Sequence, residues 1–262
     1  MAEYSEYSHE QMFDLLETLY DKYNREEFIE SDPISIPHSF TDNRDREIAG
    51  FFAATIAWGN RKAIVRSARR MMECMDFSPY DFITNATDAD IEPLRSYVYR
   101  TFNGDDFVDF VRAAQSICRR YGTFGELFES SFERHGDMAA VLSEVRREFF
   151  AVEHNYRCEK HFSSIDKGAA CKRLCMYLRW FVRHDDRGVD FGLWRRIPMS
   201  ALYMPLDIHT GRMGRNLGLL GRKQSGWKAV EELTASLREF HVDDPVRYDY
   251  SLFGLGISGD DI

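Results

Sequence analysis

Apolar residues recur along most of this chain at intervals of three and four, the period that turns one face of an α-helix toward a core. Residues 9–23 place Met12, Leu15, Leu16, Leu19, Tyr20 and Tyr23 on one stripe, and residues 45–58 do so with Ile48, Phe51, Phe52, Thr55 and Ile56. Asn60 is an N-cap for a helix carrying Ile64, Val65, Ala68, Met71, Met72 and Met75. The pattern returns over 105–120, where Gly122 supplies a stop, and further helices are predicted over 123–134, 137–150, 168–183 and 190–203. Ser225 precedes a helix with Trp227, Val230, Leu233, Leu237 and Phe240, and Asp244-Pro245 reads as an N-cap followed by proline at the first helical position. Between the first two helices, residues 31–40 with Pro33 and Pro37 read as an ordered surface connection. No hairpin or alternating strand signal is seen, so the predicted fold class is all-α.

Length leaves the domain count open: 262 residues make one globular all-α unit or two interleaved lobes. With 44% hydrophobic and 29% charged residues and no low-complexity tract, the composition is that of a folded globular protein. The first residues, MAEYSEYSHEQMF, are polar and acidic, and no later run approaches the length of apolar sequence that spans a bilayer. A cytoplasmic protein without a membrane partner is expected. Five scattered cysteines, Cys74, Cys118, Cys158, Cys171 and Cys175, read as reduced thiols. Apolar residues reach almost to the end, so the C-terminus is expected to pack against the body.

Charge changes the picture. The net value is −9, yet residues 160–228 hold fourteen Lys or Arg against five Asp, a local +9 in an otherwise acidic chain. That asymmetry points to a phosphate-facing surface, or else to exposed helix faces that are merely solvated. Within this segment, SSIDKGAACKRLCMYLRWFVR at 163–183 is a short polar turn with Gly168 leading into a helix. Leu174, Tyr177, Leu178 and Phe181 face inward, while Lys172, Arg179 and Arg183 lie elsewhere on the circumference. Lys172 falls early in that helix, where the dipole's positive end favours anions and lowers a lysine's pKa. Downstream, MPLDIHTGRMGRNLGLL at 204–220 puts Asp207 where its carboxylate accepts from first-turn amides, with Arg212 and Arg215 three apart on the helix that follows.

These two segments, GAACKRL and PLDIHTGRMGRNLGL, resemble the helix-hairpin-helix/GPD superfamily of base-excision DNA glycosylases, most nearly a bacterial group of unassigned function related to archaeal 8-oxoguanine glycosylases. The likeness covers roughly 163–220, the hairpin-like and catalytic-type segment, with weaker support from SLFGLGISG at 251–259. It implies a two-lobed helical fold with a cleft between lobes, and a partner that is double-stranded DNA carrying a damaged base or an abasic site. By the same resemblance Lys172 is the nucleophile whose neutral amine attacks the sugar C1′ and leaves a Schiff base, and Asp207 assists it. Lys167, Gly168 and Arg173 at the turn, and His209, Arg212 and Arg215 after Asp207, are the implied DNA contacts, with Asn60 contributing from an earlier helix junction. The superfamily's usual hairpin has two glycines, whereas only Gly168 stands here. The cysteine cluster that holds an iron–sulfur centre in some relatives is missing, so no cofactor is expected.

The zinc reading, from His154, Cys158 and His161 with the pair Cys171/Cys175, lacks a second ligand pair at finger-like spacing, and no metal is expected. Phe51, Phe52, Trp58, Trp180, Phe181, Trp194 and Trp227 read as core. The function expected is a DNA-repair glycosylase, with or without abasic-site lyase activity. The alternatives are a non-catalytic nucleic-acid-binding protein on the same scaffold and a helical interaction protein.

Overall fold

The computed structural model describes residues 7–258, and these are mostly helical. In chain order the helices are α1 (His9–Tyr23), α2 (Glu27–Ser31), α3 (Ser35–His38), α4 (Asn43–Thr55), α5 (Arg61–Cys74), α6 (Pro79–Asn85) and α7 (Asp88–Ile91). Strands β1 (Val98–Tyr99) and β2 (Phe102–Asn103) follow, then α8 (Gly104–Tyr121), α9 (Phe124–His135), α10 (Met138–Phe149), α11 (Lys172–Val182), α12 (Ile208–Asn216), α13 (Trp227–Arg238) and α14 (Asp249–Ser258). Two compact units emerge, one from residues 29–163 and one from 1–28 joined to 164–262. No described helix is long and apolar enough to cross a membrane.

Caps explain why several helices begin where the periodicity places them. Ser8, Asp42, Asn60, Thr123 and Asp137 each accept from a backbone N–H two or three residues on, satisfying donors that a helix start leaves orphaned. In residues 29–163 the core is a set of interlocking rings around Phe51 of α4. Its ring centroid lies 4.6 Å from Phe124, 5.3 Å from Phe149 and 6.2 Å from Phe110. Two features depart from expectation. Residues 31–40 are not a surface connection: Ile34, Ile36, Pro37 and Phe40 are buried, and the single-turn helix α3 packs the segment onto α4. A minimal hairpin also interrupts the all-α pattern, pairing Val98 with Asn103 and Tyr99 with Phe102. It is too short to show alternation, and Arg100 takes the left-handed conformation its turn requires.

In the other unit, α14 packs against both α1 and α12. Glycine makes those approaches possible, because a Cβ on Gly254 would lie 2.3 Å from the Tyr23 ring and one on Gly256 would lie 2.9 Å from the His209 Cβ. The C-terminal segment thus packs on the body as far as it is described. The helix predicted over 190–203 does not form. Gly188 and Gly192 adopt positive φ, and Phe191 and Trp194 donate their amides to the carbonyls of Trp180 and Phe181. The segment folds back over the end of α11, burying Val189, Trp194 and Ile197, and only a single 3-10 turn remains at Met199–Ala201. Asp244 likewise makes no cap bond at Pro245; its carboxylate accepts from the Arg183 guanidinium at 3.0 Å.

Candidate active site

The turn before α11 is built differently from a phosphate-gripping hairpin. Gly168 takes φ +74 at the end of a 3-10 turn, its amide donating to Ile165 and that of Ala169 to Ser164. Its carbonyl accepts from Trp227 at 2.9 Å, which docks the turn on the start of α13. The amides of Gly168 and Ala169 are therefore spent within the protein. Cys171, at φ +49, ends the turn, so α11 starts at Lys172 rather than at Gly168. Lys167 is exposed and Arg173 half-buried, and burial pushes the Arg173 guanidinium below its ordinary value. An arginine so shifted still carries its charge at neutral pH.

Lys172 is half-buried in the first turn of α11, and its Nζ approaches the thioether of Met176 one turn on at 3.3 Å. A thioether is a weak acceptor that leaves an amine's reactivity largely intact. Asp207 caps α12 as its position before the helix predicts. A single oxygen, Oδ1, accepts from His209 N at 2.8 Å and from Thr210 N at 2.9 Å. Oδ2 makes no hydrogen bond among the described residues.

The residue that joins these two is one the sequence did not single out. Asp249 opens α14 and is buried, its carboxylate bound by Arg179 of α11. Burial pushes its pKa up to about 6. Arg179 opposes that rise, the negative charge of Asp207 adds to it, and the Lys172 ammonium lowers it. Arg179 ties α11, which Lys172 opens, to the start of α14, and α14 packs on α12, which Asp207 caps. Three separate segments, the starts of α11, α12 and α14, thus contribute an amine and two carboxylates to one compact unit. The signal in the sequence was an acid heading an otherwise apolar stretch, DYSLFGLGIS, and a lone Arg179 between Leu178 and Trp180. Both groups must find internal partners once their helices are buried.

Other predicted contacts are turned inward. Arg215 donates to the carbonyls of Gly211, Arg222 and Lys223 and to Ser225 Oγ, stapling the loop after α12. Arg212 donates to the Gly256 carbonyl at 2.7 Å, and His209 Nδ1 lies 3.0 Å from the same oxygen. All three residues fasten α12 to its neighbours. Asn60 belongs to the other unit, where its Oδ1 accepts from Ala63 N at 3.1 Å as the α5 cap.

Arg179 and Arg183, placed by periodicity away from the core, are buried. Arg183 pairs with Asp185, Asp190 and Asp244, and Arg179 with Asp190 and Asp249. These two cations of the basic segment are therefore neutralised within the fold. The residues considered for zinc are also engaged or apart. His154 contacts the Val152 carbonyl and Glu159, and His161 lies 3.2 Å from Asp106. No group of three His, Cys, Asp or Glu side chains placed to hold a metal occurs among the described residues.

A family model described as a protein of unknown function, DUF2400, matches residues 32–258, most of the chain. The chain belongs to the DUF2400 family. The resemblance to base-excision glycosylases is thereby corrected, since the family matched over those residues is one of unknown function and no glycosylase family is found. No curated protein and no solved structure is matched. What this DUF2400 chain does must then be argued from its side chains, and the arrangement of Lys172, Asp207 and Asp249 is the most chemically pointed one it has.

Proposed function

We propose that this DUF2400 protein acts on DNA as a repair glycosylase, with Lys172 as the attacking amine and Asp207 as the carboxylate that assists it. The observation that carries the reading is that α11, opened by Lys172, is tied to α14 through Arg179 and Asp249, while α12, capped by Asp207, packs on the same α14. A lysine whose nearest partner is a thioether is available as a nucleophile once it sheds its proton, and a neighbouring carboxylate can receive that proton. Asp207 suits this role because the two cap bonds occupy one oxygen and leave the other. In the step proposed, the Lys172 nitrogen bonds to the sugar C1′, the bond from C1′ to the base breaks, and the base leaves with the bonding electrons and a proton. Ring opening then gives a Schiff base, which Asp207 stabilises as an iminium. Lys167 and Arg173 lie in the turn and first helical residues beside Lys172 and supply positive charge for the DNA backbone.

The test is imine trapping. Duplexes carrying oxidised bases, alkylated bases, uracil or an abasic site are incubated with the protein and borohydride. A covalent complex is expected with at least one duplex, lost in Lys172→Ala. Asp207→Asn keeps an oxygen to cap α12 but removes the charge, so it should fold normally and trap at least tenfold more slowly. The absence of any trapped complex, or trapping indifferent to Lys172→Ala, sinks the mechanism.

A further inference from the structure

Residues 29–163 carry a concentration of positive charge of their own, arranged unlike that of 160–228. α5 reads RKAIVRSARRMMEC, with five cations and one acid, Glu73. Ile64, Ala68, Met71 and Met72 bury one face of the helix, which fixes it in the fold and commits the opposite face to solvent. Lys62, Arg66, Arg69 and Arg70 are exposed there. Offsets of four, seven and eight residues stack these side chains on successive turns, and at 1.5 Å per residue the ladder runs about 12 Å. Like charges at these spacings repel one another. Lys62, Arg66 and Arg69 nevertheless form no ion pair among the described residues, and Arg70 lies over the Tyr97 ring at 5.7 Å from its centroid. The chain carries 43 Asp and Glu, so carboxylates to neutralise this face were abundant.

We infer that the exposed face of α5 is a docking surface for the sugar–phosphate backbone of double-stranded DNA; the choice of DNA among polyanions rests on the glycosylase reading of Lys172 and Asp207. Charge complementarity identifies the class of partner, and what the face lacks narrows it. An amphipathic helix that lies on a membrane presents apolar side chains to the bilayer, but the apolar residues of α5 are turned into the core. Proteins that hold single strands stack bases on aromatic side chains, and α5 contains none. A protein interface is depleted of lysine and built around apolar or aromatic anchors, which this face also lacks. A regular row of cations, closed by the single acid Glu73 one turn beyond Arg69, suits a regular row of phosphates. Its length matches the axial rise of roughly three to four phosphates on one strand.

The full-length protein and the variant Lys62→Ala/Arg66→Ala/Arg69→Ala are compared for equilibrium binding to an undamaged duplex across a range of salt concentrations. Each phosphate contact contributes about −0.9 to the slope of log K against log salt. The triple variant should therefore lose about 2–3 from that slope, and the loss should be the same for unrelated duplex sequences. An unchanged slope overturns the inference. So does an α5-dependent affinity that is greater for single-stranded RNA, for anionic phospholipid vesicles or for an acidic peptide than for the duplex. Lys172→Ala, measured alongside, separates the two proposals. Salt-dependent duplex binding that needs α5, in a protein that traps no imine, leaves the docking surface standing without the chemistry. Imine trapping at low salt with a slope indifferent to α5 leaves the reverse.

Discussion

Arg179 and Arg183, within the basic segment 160–228, and the cations of α5 look alike as composition and are opposite as structure. In the first case the arginines on α11 and at its C-cap, Arg179 and Arg183, are drawn into the fold. Arg179 and Arg183 are buried and held by Asp185, Asp190, Asp244 and Asp249, while Arg215 is spent on loop carbonyls. In the second, the cations of α5 stay outside and three of them have no acidic partner among the described residues. A cation's use is therefore set by the helix that carries it. Where both flanks are apolar, burial forces the guanidinium to find internal acids. Where only one face is apolar, the charge remains available to a partner. Counting charge along a sequence window cannot separate these cases: it credits 160–228 with Arg179 and Arg183, whose charge is internal, alongside exposed cations such as Lys167 and Lys223.

The largest effect expected from this contrast is at Arg183. Its guanidinium is 1% exposed and meets three carboxylates, so Arg183→Met leaves buried acids without their counter-ion. Breaking a buried pair from one side costs about 3–5 kcal/mol. Urea unfolding should show a loss of that size, with the basic segment keeping all of its exposed cations. A loss under about 1 kcal/mol would mean that the network contributes little, and the distinction between internal and available charge would fail at its centre.

Next in size is a pH effect at Asp249, where the first region meets the proposed chemistry. Burial, with Asp207 nearby, raises its folded-state pKa to about 6 from 3.8. Between those values the folded protein holds a proton that the unfolded chain has released, so stability falls as pH rises through the window. The full loss, about 3 kcal/mol at 1.36 kcal/mol per unit, is reached above about pH 6. Asp185 acts in the opposite sense at lower pH. Burial alone would raise it, but the Arg183 guanidinium and the Arg187 amide hold it at about 2, so its contribution is present above 3.8 and lost as pH falls. Denaturation at pH 4 and pH 7 should show a clear drop for the natural protein and a much smaller one for Asp249→Asn. Equal drops would place the titrating group elsewhere.

These two residues also mark where reading the sequence stopped. Amphipathic period and capping chemistry located α1, α5, α8, α9 and α10 to within a residue or two, because each presents one buried face and carries its own start signal. Asp207 was legible for the same reason, as a cap whose function is local. Asp249 was not, because what gives it meaning is Arg179, seventy residues earlier. The failure over 190–203 has the same origin. Its amides are satisfied by the end of α11, not by one another, and no window confined to the segment contains that information. Residues 31–40 were misjudged because proline suggests exposure, whereas Pro37 and its isoleucine neighbours fill the face of α4.

The smallest expected effect is the one that decides the comparison. Exposed substitutions away from caps and buried networks change stability by about ±0.5 kcal/mol or less. Removing Lys62, Arg66 and Arg69 also relieves like-charge neighbours, each pair worth about 0.2–0.5 kcal/mol at these spacings. The triple alanine variant should therefore unfold at the same urea concentration as the natural protein or at a slightly higher one. If the same variant also loses duplex binding, α5 pays out its charge to a partner and not to the fold. A destabilisation of about 2 kcal/mol or more would instead show that these cations support the fold through interactions their exposure does not reveal, making α5 and the 160–228 segment two versions of one arrangement.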